Sequence, residues 1–473
     1  MSTIAIVGGG AVGLTAAMLL ARDGHDVTVL ERDPHPPPDD PDDAWREWER
    51  RGINQLRMPH LLLPAWREIV ERELPGLARR FADLGALRYD MVGDHWLMDP
   101  AAREDGDDRF VGLTGRRPSI EVAVAGEATV TDGVTLRRGT GVVALHTGDP
   151  VDGVPRVTGV ITDAGDVLAA DLVVDAAGRR SPIPELLVAA GARAPLEESE
   201  DSGFVYYGRH FRSADGSLPE PRSLMLTAYD SVSTLLLPAD RGTWAVGIIA
   251  ASGDREMRPL RDTARWHAAI ERFPLAAHWA EGEPISDVAV MSKLEDRRRR
   301  FVVDGRPVAV GIAPVADAWA CTNPSLGRGI SIGTMHACAL RDTVRDVGTD
   351  DVYALATRWD EVTREVVDPW YDATLTFDRA RLAEMEAQRR GEPFDADPGY
   401  EIARTMGRLS RTDLEVFRGF AGVMSLLQRA EEAMARPGLF ERVLELAPTA
   451  TGAPGPDRDE LVAVVNRERE SAV

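Results

Sequence analysis

The first thirty residues constrain the fold of this chain more than any other stretch. Thr3–Val7 is short and mostly apolar, as in a buried strand, and Gly8–Gly13 follows with glycine at its first, third and sixth positions. Leu14–Asp23 is rich in Ala, Leu and Met and predicts a helix. Asp26–Leu30 predicts a second strand, which ends at Glu31. This order of strand, glycine loop, helix and strand is typical of a βαβ unit that binds a dinucleotide.

The glycines of this loop have separate physical roles. The first allows the tight turn, the second lets the backbone approach a pyrophosphate, and the third lets the helix pack on the strand. Amide groups and the dipole at the helix N-terminus favour an anion there. Glu31 ends the second strand and is placed to accept hydrogen bonds from a ribose diol, whereas it would repel a 2′-phosphate. The alternative is a tight turn in a Rossmann-like domain without a ligand.

Composition argues against several classes of partner and location. The formal net charge is −22, which argues against nucleic acid and against attraction to anionic lipid. Two cysteines cannot form a disulfide framework for 473 residues, so we expect a cytoplasmic protein. The spacing of Cys and His does not match a zinc site, and no metal is predicted. Glycines interrupt the apolar stretch Ile4–Ala21, so we expect neither a secretory signal nor a membrane span.

The rest of the chain predicts an α/β fold with three regions. Asp171–Asp175 and Pro307–Gly311 have the composition of buried parallel strands, like the first strand of the chain. We therefore predict a discontinuous Rossmann-like dinucleotide-binding domain at 1–199 plus 303–347. Several apolar runs between turns predict an antiparallel-sheet domain that holds the substrate at 200–302. Residues 348–473 predict a helical C-terminal region.

Three local patterns favour ordinary sheet or surface structure. Residues 33–43 are rich in Pro and Asp and predict an exposed, extended loop. Residues 134–168 contain short apolar runs between turns, which predict an antiparallel meander that begins at Val134. Arg297–Arg300 is more typical of a solvated turn than of a site for a nicotinamide phosphate.

A second glycine-bearing segment lies far downstream, at Ala316–Ile330. It contains Asp317, then Asn323-Pro324, and then glycines at 327 and 329. The segment resembles the aromatic-hydroxylase superfamily of FAD-dependent monooxygenases, especially the branch with the squalene-type and polyether epoxidases. In that family the aspartate contacts the ribityl chain of FAD, and the Asn-Pro-x-x-Gly-x-Gly turn starts a helix beside the isoalloxazine. Ala316 replaces the usual glycine, which is tolerated unless the backbone there has a positive φ.

The resemblance implies that both glycine segments hold one FAD. Asp171–Ser181 is similar to the family's strand and Asp-Gly element, but Ala177-Gly178 replaces Asp-Gly, which weakens direct binding of a nicotinamide. Arg117 resembles an arginine at a helix start that reaches FAD, and a surface ion pair is the alternative. The predicted cofactor-binding residues are Gly8, Gly10, Ala11, Val12, Gly13, Glu31, Arg32, Arg117, Val142, Asp317, Pro324, Gly327, Gly329 and Ile330.

Three further groups of residues are considered as contacts of the substrate or of the flavin. Tyr206, Tyr207 and Arg209 lie on a predicted strand of the second domain, where alternation lets at most one tyrosine face a pocket. Gly52–His60 is similar to a segment of the epoxidase-like branch near the flavin, but a lone histidine is more often structural. Cys321 is interpreted as a small buried residue rather than a covalent tether for the flavin. No catalytic side chain is therefore assigned.

The resemblance also implies a reaction. The family inserts one oxygen atom from O2 into a bulky apolar or aromatic small molecule, by hydroxylation or epoxidation, through a C4a-hydroperoxyflavin. Its electrons come from NAD(P)H or from a partner flavin reductase, so the implied partners are the substrate, O2 and, in the second case, that reductase. A C=C reductase of the geranylgeranyl-reductase type is the main alternative. Halogenation and an inactive flavin-binding scaffold are the others. The halogenases of the family carry a catalytic lysine early in the chain, whereas Lys293 follows a predicted strand of the second domain and is not at that position.

Overall fold

The computed structural model describes residues 1–53 and 55–467. Asn54 of the Gly52–His60 segment and residues 468–473 of the C-terminal region lie outside the described residues. The α-helices are α1 Ala11–Arg22, α2 Pro41–Glu47, α3 Pro64–Glu73, α4 Pro75–Asp83, α5 Arg117–Val130, α6 Ile183–Ala189, α7 Thr263–Ile270, α8 Gly329–Val347, α9 Val352–Val366, α10 Asp368–Arg390, α11 Pro398–Leu409, α12 Leu414–Met424, α13 Ala430–Met434, α14 Leu439–Leu446 and α15 Arg458–Asn466. Over the described ranges, no helix combines the length and the apolar character that crossing a membrane requires.

The strands follow the same chain order. They are β1 Thr3–Val7, β2 Asp26–Glu31, β3 Leu87–Asp90, β4 Val111–Thr114, β5 Val134–Arg138, β6 Val142–Val151, β7 Val154–Thr162, β8 Val167–Ala169, β9 Leu172–Asp175, β10 Leu196–Asp201, β11 Phe204–Arg212, β12 Leu226–Ala228, β13 Val232–Pro238, β14 Thr243–Ala251, β15 Glu283–Pro284, β16 Ala289–Met291, β17 Glu295–Arg300, β18 Val302–Val303, β19 Arg306–Pro307, β20 Ile312–Pro314 and β21 Ala320–Cys321.

A five-stranded parallel sheet forms the centre of the N-terminal region. Its strand order is β20-β9-β1-β2-β5, and every neighbouring pair runs parallel. Because parallel strands need a crossover connection, α1 links β1 to β2 and packs beside α5 and α8. The sequence predicts a strand at Pro307–Gly311. The strand that joins the parallel sheet is β20, which begins at the next residue, Ile312. The carboxyl ends of all five strands share one edge, where ligands bind in open α/β sheets.

Alternation along β1 builds a separate core on each face of this sheet. Ile4 and Ile6 pack against α1, α5 and α8. Ala5 and Val7 pack against the antiparallel sheet β6-β7-β8. Helices therefore cover one face of the parallel sheet and a smaller sheet covers the other, which leaves the carboxyl edge free.

The second large sheet is antiparallel, with strand order β12-β13-β14-β11-β15 and with β16 also beside β11. One face carries Tyr207, which packs with Trp266 of α7 in a buried core. The other face carries Tyr206 and Leu235, which pack towards Met58 and Met385. The sheet therefore stands between helix α7 on one side and helix α10 on the other.

The helices from α9 onwards form the C-terminal region. Helices α11, α12 and α14 pack around a small core that includes Met406, Leu409 and Val416. A Rossmann-like parallel sheet, an antiparallel sheet and a helical C-terminal region confirm the predicted fold class. Strands β10 and β17 pair with each other close to both limits proposed for the middle domain, and the exact division into domains stays a proposal.

Three local predictions are wrong, in each case because a remote segment supplies the partner. Val134 begins β5, which pairs with β2 in the parallel sheet, so the meander begins at β6. Residues 33–43 are not a free loop, because Asp33 and Asp42 form ion pairs with buried arginines. Arg297–Arg300 is part of β17 and lies opposite the acidic strand β10, so it is not a solvated turn.

Candidate functional site

A cavity of about 1470 Å³ opens at the carboxyl edge of the parallel sheet and continues along the antiparallel sheet. This volume exceeds the range of about 300–1,000 Å³ that is usual for a small-molecule site. The cavity therefore has room for a dinucleotide and for a second molecule. All of the predicted cofactor-binding residues line it: Gly8, Gly10, Ala11, Val12, Gly13, Glu31, Arg32, Arg117, Val142, Asp317, Pro324, Gly327, Gly329 and Ile330.

The first glycine loop combines two crowded positions with one open position. Gly8 has a φ of +110°, and a Cβ there would lie 2.4 Å from the carbonyl oxygen of Ala176. A Cβ at Gly13 would lie 2.1 Å from the carbonyl oxygen of Gly8. Gly10, directly before α1, differs because a Cβ there would meet no atom of the described residues within 4 Å. The backbone at Gly10 is therefore bare towards the cavity, as close approach of a pyrophosphate requires.

Glu31 is held in place by a buried cluster of charges. Its carboxylate accepts hydrogen bonds from the amides of Gly9 at 2.9 Å and Asp33 at 2.8 Å, and from Arg50 at 2.9 Å. Arg50 also pairs with Asp33 and with Glu121. Burial lowers the pKa of Arg50, but the three carboxylates outweigh it and the net shift is upwards. No sequence pattern singled out Arg50, although it fixes the acid that the motif predicted.

The second motif begins with a strained turn. Ala316 has a φ of +51°, which is the left-handed conformation that favours the glycine usual at this position in the resembling family. Its N–H donates a hydrogen bond of 3.1 Å to Nδ1 of His336, and Nε2 of His336 lies 3.0 Å from the hydroxyl of Thr363. Burial lowers the pKa of His336 to about 3. The ring is therefore neutral, with its hydrogen on Nε2, and it anchors the turn.

Helix α8 brings the two motifs into contact. A Cβ at Gly333 would lie 2.6 Å from the side chain of Val12 and 3.0 Å from that of Ala316. Val12 belongs to the first glycine segment and Ala316 to the second, so the side chains of both segments meet helix α8 at Gly333. Larger side chains at this position would push the two motifs apart.

Asp317 lines the cavity and is exposed to it. Desolvation raises the pKa of its carboxyl group, and the positive charges of Arg117 and Arg179 oppose this rise. Arg117 lines the cavity and also forms an ion pair of 2.6 Å with Glu121. Both interpretations of Arg117 are therefore compatible with its position.

This half of the cavity fits FAD. Helices α1 and α8 both begin at its wall, and a Cβ at Gly329, as at Gly10, would meet no described atom within 4 Å. Such bare helix N-termini suit a phosphate or an electron-rich ring edge. Glu31 ends β2 and Asp317 follows β20, on opposite sides of β1, where both can accept hydrogen bonds from ribose and ribityl hydroxyls. Several arginines that favour a pyrophosphate also line this half: Arg32, Arg50, Arg117, Arg179 and Arg180.

Two other cavity residues are held in their neutral forms. His60 lines the cavity, and its buried Nε2 has no hydrogen-bond partner among the described residues. Burial and the charge of Arg117 lower the pKa of His60 to about 3. Burial raises the pKa of Cys321 to about 12, so its sulfur is a thiol and not the reactive thiolate.

The second half of the cavity is largely apolar. Its walls come from the antiparallel sheet, from the segment before α3 and from helices α10 and α12. Among them are Met58, Leu61, Leu63, Leu224, Met225, Leu235, Leu237, Met291, Phe377, Phe417, Phe420 and Met424. Sequence patterns did not single out these residues, because they are spread over much of the chain.

The predicted substrate residues divide between the two faces of β11. Tyr206 lines the cavity. Tyr207 packs with Trp266 in the core on the opposite face, and Nε of Arg209 donates a hydrogen bond of 3.0 Å to the carbonyl of Ser286 on that same side. The assignment of Tyr207 and Arg209 to the substrate pocket is therefore corrected, since neighbouring strand residues point to opposite faces.

A polar cluster on α10 and α11 also lines the cavity, and no motif indicated it. Glu384 accepts hydrogen bonds from Arg381 at 2.6 Å, from Tyr400 at 2.7 Å and from Arg404 at 2.9 Å. Burial raises the pKa of Glu384, but these donors lower it below its usual value overall. Glu384 is therefore ionised, and the positive charges of Arg381 and Arg404 in the cavity wall balance its negative charge.

Known proteins share the sequence motif and the fold. Residues 3–38 match the family model described as FAD dependent oxidoreductase. Protein Rv3254 of Mycobacterium tuberculosis is 27% identical over an alignment of 366 residues, and the match covers 72% of this chain and 72% of that protein. PqsL of Pseudomonas aeruginosa, a probable FAD-dependent monooxygenase, aligns with a TM-score of 0.60 at 18% identity over 82% of this chain and 98% of its own. A variant of 2-methyl-3-hydroxypyridine-5-carboxylic acid oxygenase aligns with a TM-score of 0.56 at 17% identity over 81% of this chain and 93% of its own. The chain therefore shares the fold of PqsL and of this oxygenase, as the resemblance of its two glycine motifs predicts.

Proposed function

We propose that this protein is an FAD-dependent monooxygenase that inserts one oxygen atom from O2 into a bulky apolar or aromatic small molecule. The observation that carries the proposal is the convergence of two remote glycine segments on one cavity, which then continues into an apolar chamber. The first half offers helix N-termini and arginines to a dinucleotide. The second half offers space and apolar walls to a substrate beside it.

Bound FAD would supply the electron transfer and the activation of O2. The chain's own contribution is to position the cofactor and to exclude water. The bare backbone at Gly10 receives the pyrophosphate, Glu31 the ribose and Asp317 the ribityl chain. The apolar side chains of the second half hold the substrate against the ring, and they keep water away from the reacting atoms. This division of labour suits epoxidation or hydroxylation.

The electrons come from NAD(P)H or from a partner flavin reductase. The substitution of Ala177 in the Asp-Gly element removes an acid that related one-component enzymes place near the nicotinamide. Lys293 is exposed and is not among the residues that line the cavity. The geometry therefore gives no support to halogenation at this lysine.

The first stage of the test identifies the electron donor, and the second stage traces the oxygen atom from O2. The FAD-loaded protein is mixed without O2 with NADH, with NADPH, or with a flavin reductase, and loss of the yellow colour identifies the donor. Isotopically labelled O2 and a panel of apolar and aromatic compounds are then added, and the masses of the products are measured by mass spectrometry. A product that gains one labelled oxygen supports the proposal. A saturated product without label indicates a C=C reductase and contradicts it, as does reduced flavin that oxygenates none of the compounds.

A matched control excludes contaminating flavoproteins. Gly10→Ala leaves the apolar chamber unchanged but places a methyl group where the pyrophosphate must approach. Protein purified with this substitution should form no labelled product under the same conditions. Equal product from both preparations would assign the activity to a contaminant.

A further inference from the structure

A buried polar cluster lies at the second glycine turn and reaches the cavity. It consists of Asn323 and Ser325 of the turn, Asp296 of β17, Asp378 of α10 and Tyr206 of β11, all of which are buried. We call it the turn cluster. Tyr206 and Ser325 also line the cavity, whereas Asp296 and Asp378 do not. The cluster therefore joins two carboxyl groups in the interior to the place where the substrate would lie.

Three hydrogen bonds connect the members of the turn cluster. The hydroxyl of Ser325 donates to Oδ1 of Asp378 at 2.7 Å. The hydroxyl of Tyr206 donates to Oδ1 of Asn323 at 2.7 Å, and the backbone N–H of Asn323 donates to Oδ1 of Asp296 at 2.6 Å. Ser325 also lines the cavity, so its hydroxyl group lies between the buried carboxyl group of Asp378 and the cavity.

Asp378 is poorly solvated as an anion. Its Oδ1 accepts the hydrogen bond from Ser325, but its Oδ2 has no hydrogen-bond partner among the described residues. The neighbouring cation is Arg328, which donates to the hydroxyl of Thr374 and to the carbonyl of Val423. Arg328 does not form an ion pair with Asp378 among the contacts of the described residues. A buried carboxylate without an ion pair is costly, so the protonated form is favoured.

The charges around Asp378 set its titration near neutral pH. Burial raises the pKa of Asp378 to about 7, the hydrogen bond from Ser325 lowers it, the charge of Asp296 raises it, and Asn323 and Arg328 lower it. Burial also raises the pKa of Asp296 to about 6. Tyr206 of β11 is a further neighbour, because the charge of Asp378 raises the pKa of its phenol. Asp378 can therefore both hold and release a proton under ordinary conditions.

Oxygenation requires such a proton. In hydroxylation, R–H, O2, a hydride donor such as NAD(P)H and one proton yield R–OH, water and the oxidised donor, so atoms and electrons balance. The proton must reach a chamber whose walls are largely apolar. While substrate fills this chamber, a donor group in the protein wall can deliver the proton without water from the solvent.

We propose that Asp378 supplies this proton to the cavity through the hydroxyl group of Ser325, which lines the cavity. When Asp378 is protonated, its O–H group donates to Oγ of Ser325, and the hydrogen of Ser325 turns towards the cavity. The O–H bond of the carboxyl group breaks, Ser325 takes that proton and releases its own hydrogen into the cavity, and water that enters the cavity between turnovers restores the proton on Asp378 by the reverse route. The inference rests on the proposed function, because oxygenation is the step that consumes the proton.

The protonation of Asp378 is tested without any turnover. The infrared stretch of protonated carboxyl groups is recorded from about pH 5 to about pH 9 for the wild type and for Asp378→Asn. The difference between them should show a carboxyl band that disappears with a midpoint near pH 7. Asp372→Asn, on the exposed side of the same helix, should leave that band unchanged. Absence of the band from the difference spectrum at pH 6 overturns the proposal, with or without FAD.

The transfer is tested by the pH profile of oxygenation. The turnover number of the wild type should fall as the pH rises through about 7, since the donor is then deprotonated. Asp378→Asn should lower the turnover number roughly tenfold or more at pH 6 and remove this dependence, with little change in KM. Ser325→Ala should lower the turnover number while it retains the infrared band. This second variant keeps the test decisive if Asp378→Asn does not fold.

The possible failures are distinguishable. Oxygenation by Asp378→Asn at the wild-type rate and with the wild-type pH profile overturns the relay and leaves the proposed function intact. A Ser325→Ala variant as fast as the wild type overturns the route through Ser325. A wild-type protein that oxygenates nothing overturns both the relay and the proposed function.

Discussion

Replacing Gly10 by alanine separates cofactor binding from folding. A Cβ at this position meets no described atom within 4 Å, and the residue has a φ of −79° and a ψ of 175°, which alanine adopts without strain. The apoprotein should therefore keep its stability to within about 1 kcal/mol. FAD is affected differently, because the methyl group occupies the space of close approach. Loss of one or two charged hydrogen bonds to the pyrophosphate costs about 3 kcal/mol, or roughly a hundredfold in Kd.

The assay compares three glycine variants. The Kd for FAD is measured by flavin fluorescence on the apoproteins, and their thermal unfolding is followed in parallel. Gly452→Ala is the matched control. A Cβ at Gly452 also meets no described atom within 4 Å, and this residue of the C-terminal region lines the same cavity. It should bind FAD as the wild type does. Gly13→Ala should instead unfold at a lower temperature, since its Cβ would lie 2.1 Å from a carbonyl oxygen.

One result would refute the reasoning about the loop. If Gly10→Ala folds normally and binds FAD with the same Kd as the wild type and Gly452→Ala, the pyrophosphate does not approach this backbone. The FAD site would then have to lie elsewhere, and the match between the glycine pattern and the cavity would be accidental.

Three further changes test the surroundings of the site. Asp240→Asn leaves Arg116 buried without its bidentate partner, so the free energy of unfolding measured with urea should fall by about 3 kcal/mol; a loss below about 1 kcal/mol would contradict this. Ala316→Gly relieves a φ of +51° and should raise the unfolding free energy by about 1 kcal/mol; a lower midpoint in urea would argue against strain there. Asp378→Asn should stabilise the protein above pH 7, because burial raises the pKa of Asp378 from its ordinary value of 3.8 to about 7 in the folded chain. The destabilisation from ionised Asp378 grows between these values and reaches at most about 4 kcal/mol, so unfolding at pH 4 and pH 8 should show the gain only at pH 8.

The cofactor half could be predicted because its chemistry is local. Gly8 and Gly13 are required by contacts with backbone a few residues away or on the neighbouring strand. Glu31 follows from the length of β2 alone. The same holds for Tyr206 and Tyr207, since alternation along one strand decides that the two cannot share a face. Short-range rules of this kind leave a readable pattern in a single sequence.

The predictions that differ from the structure have a common cause, because each depends on a partner that is distant along the chain. Val134 looks like the start of a meander until β2 pairs with it. Ala316 looks like a harmless replacement of glycine, yet its φ is positive, and the compensating hydrogen bond comes from His336 on the next helix. The apolar chamber could not be predicted from the sequence for the same reason, because its walls come from segments between Met58 and Met424 that share no motif.

Charge patterning shows why composition alone misleads about the acidic loop. In a chain with a net charge of −22, the aspartates of residues 33–43 are expected to face water. Arg50 and Arg116 are buried, however, and a buried guanidinium requires carboxylates. Asp33 meets the first and Asp42 the second, so the loop is bound where its composition favours solvent. The position of Glu31 depends on the same arrangement, because the arginine that fixes Glu31 is itself held by Asp33. Whether an acidic loop beside a dinucleotide motif faces water therefore depends on the buried arginines near it and not on the net charge of the chain.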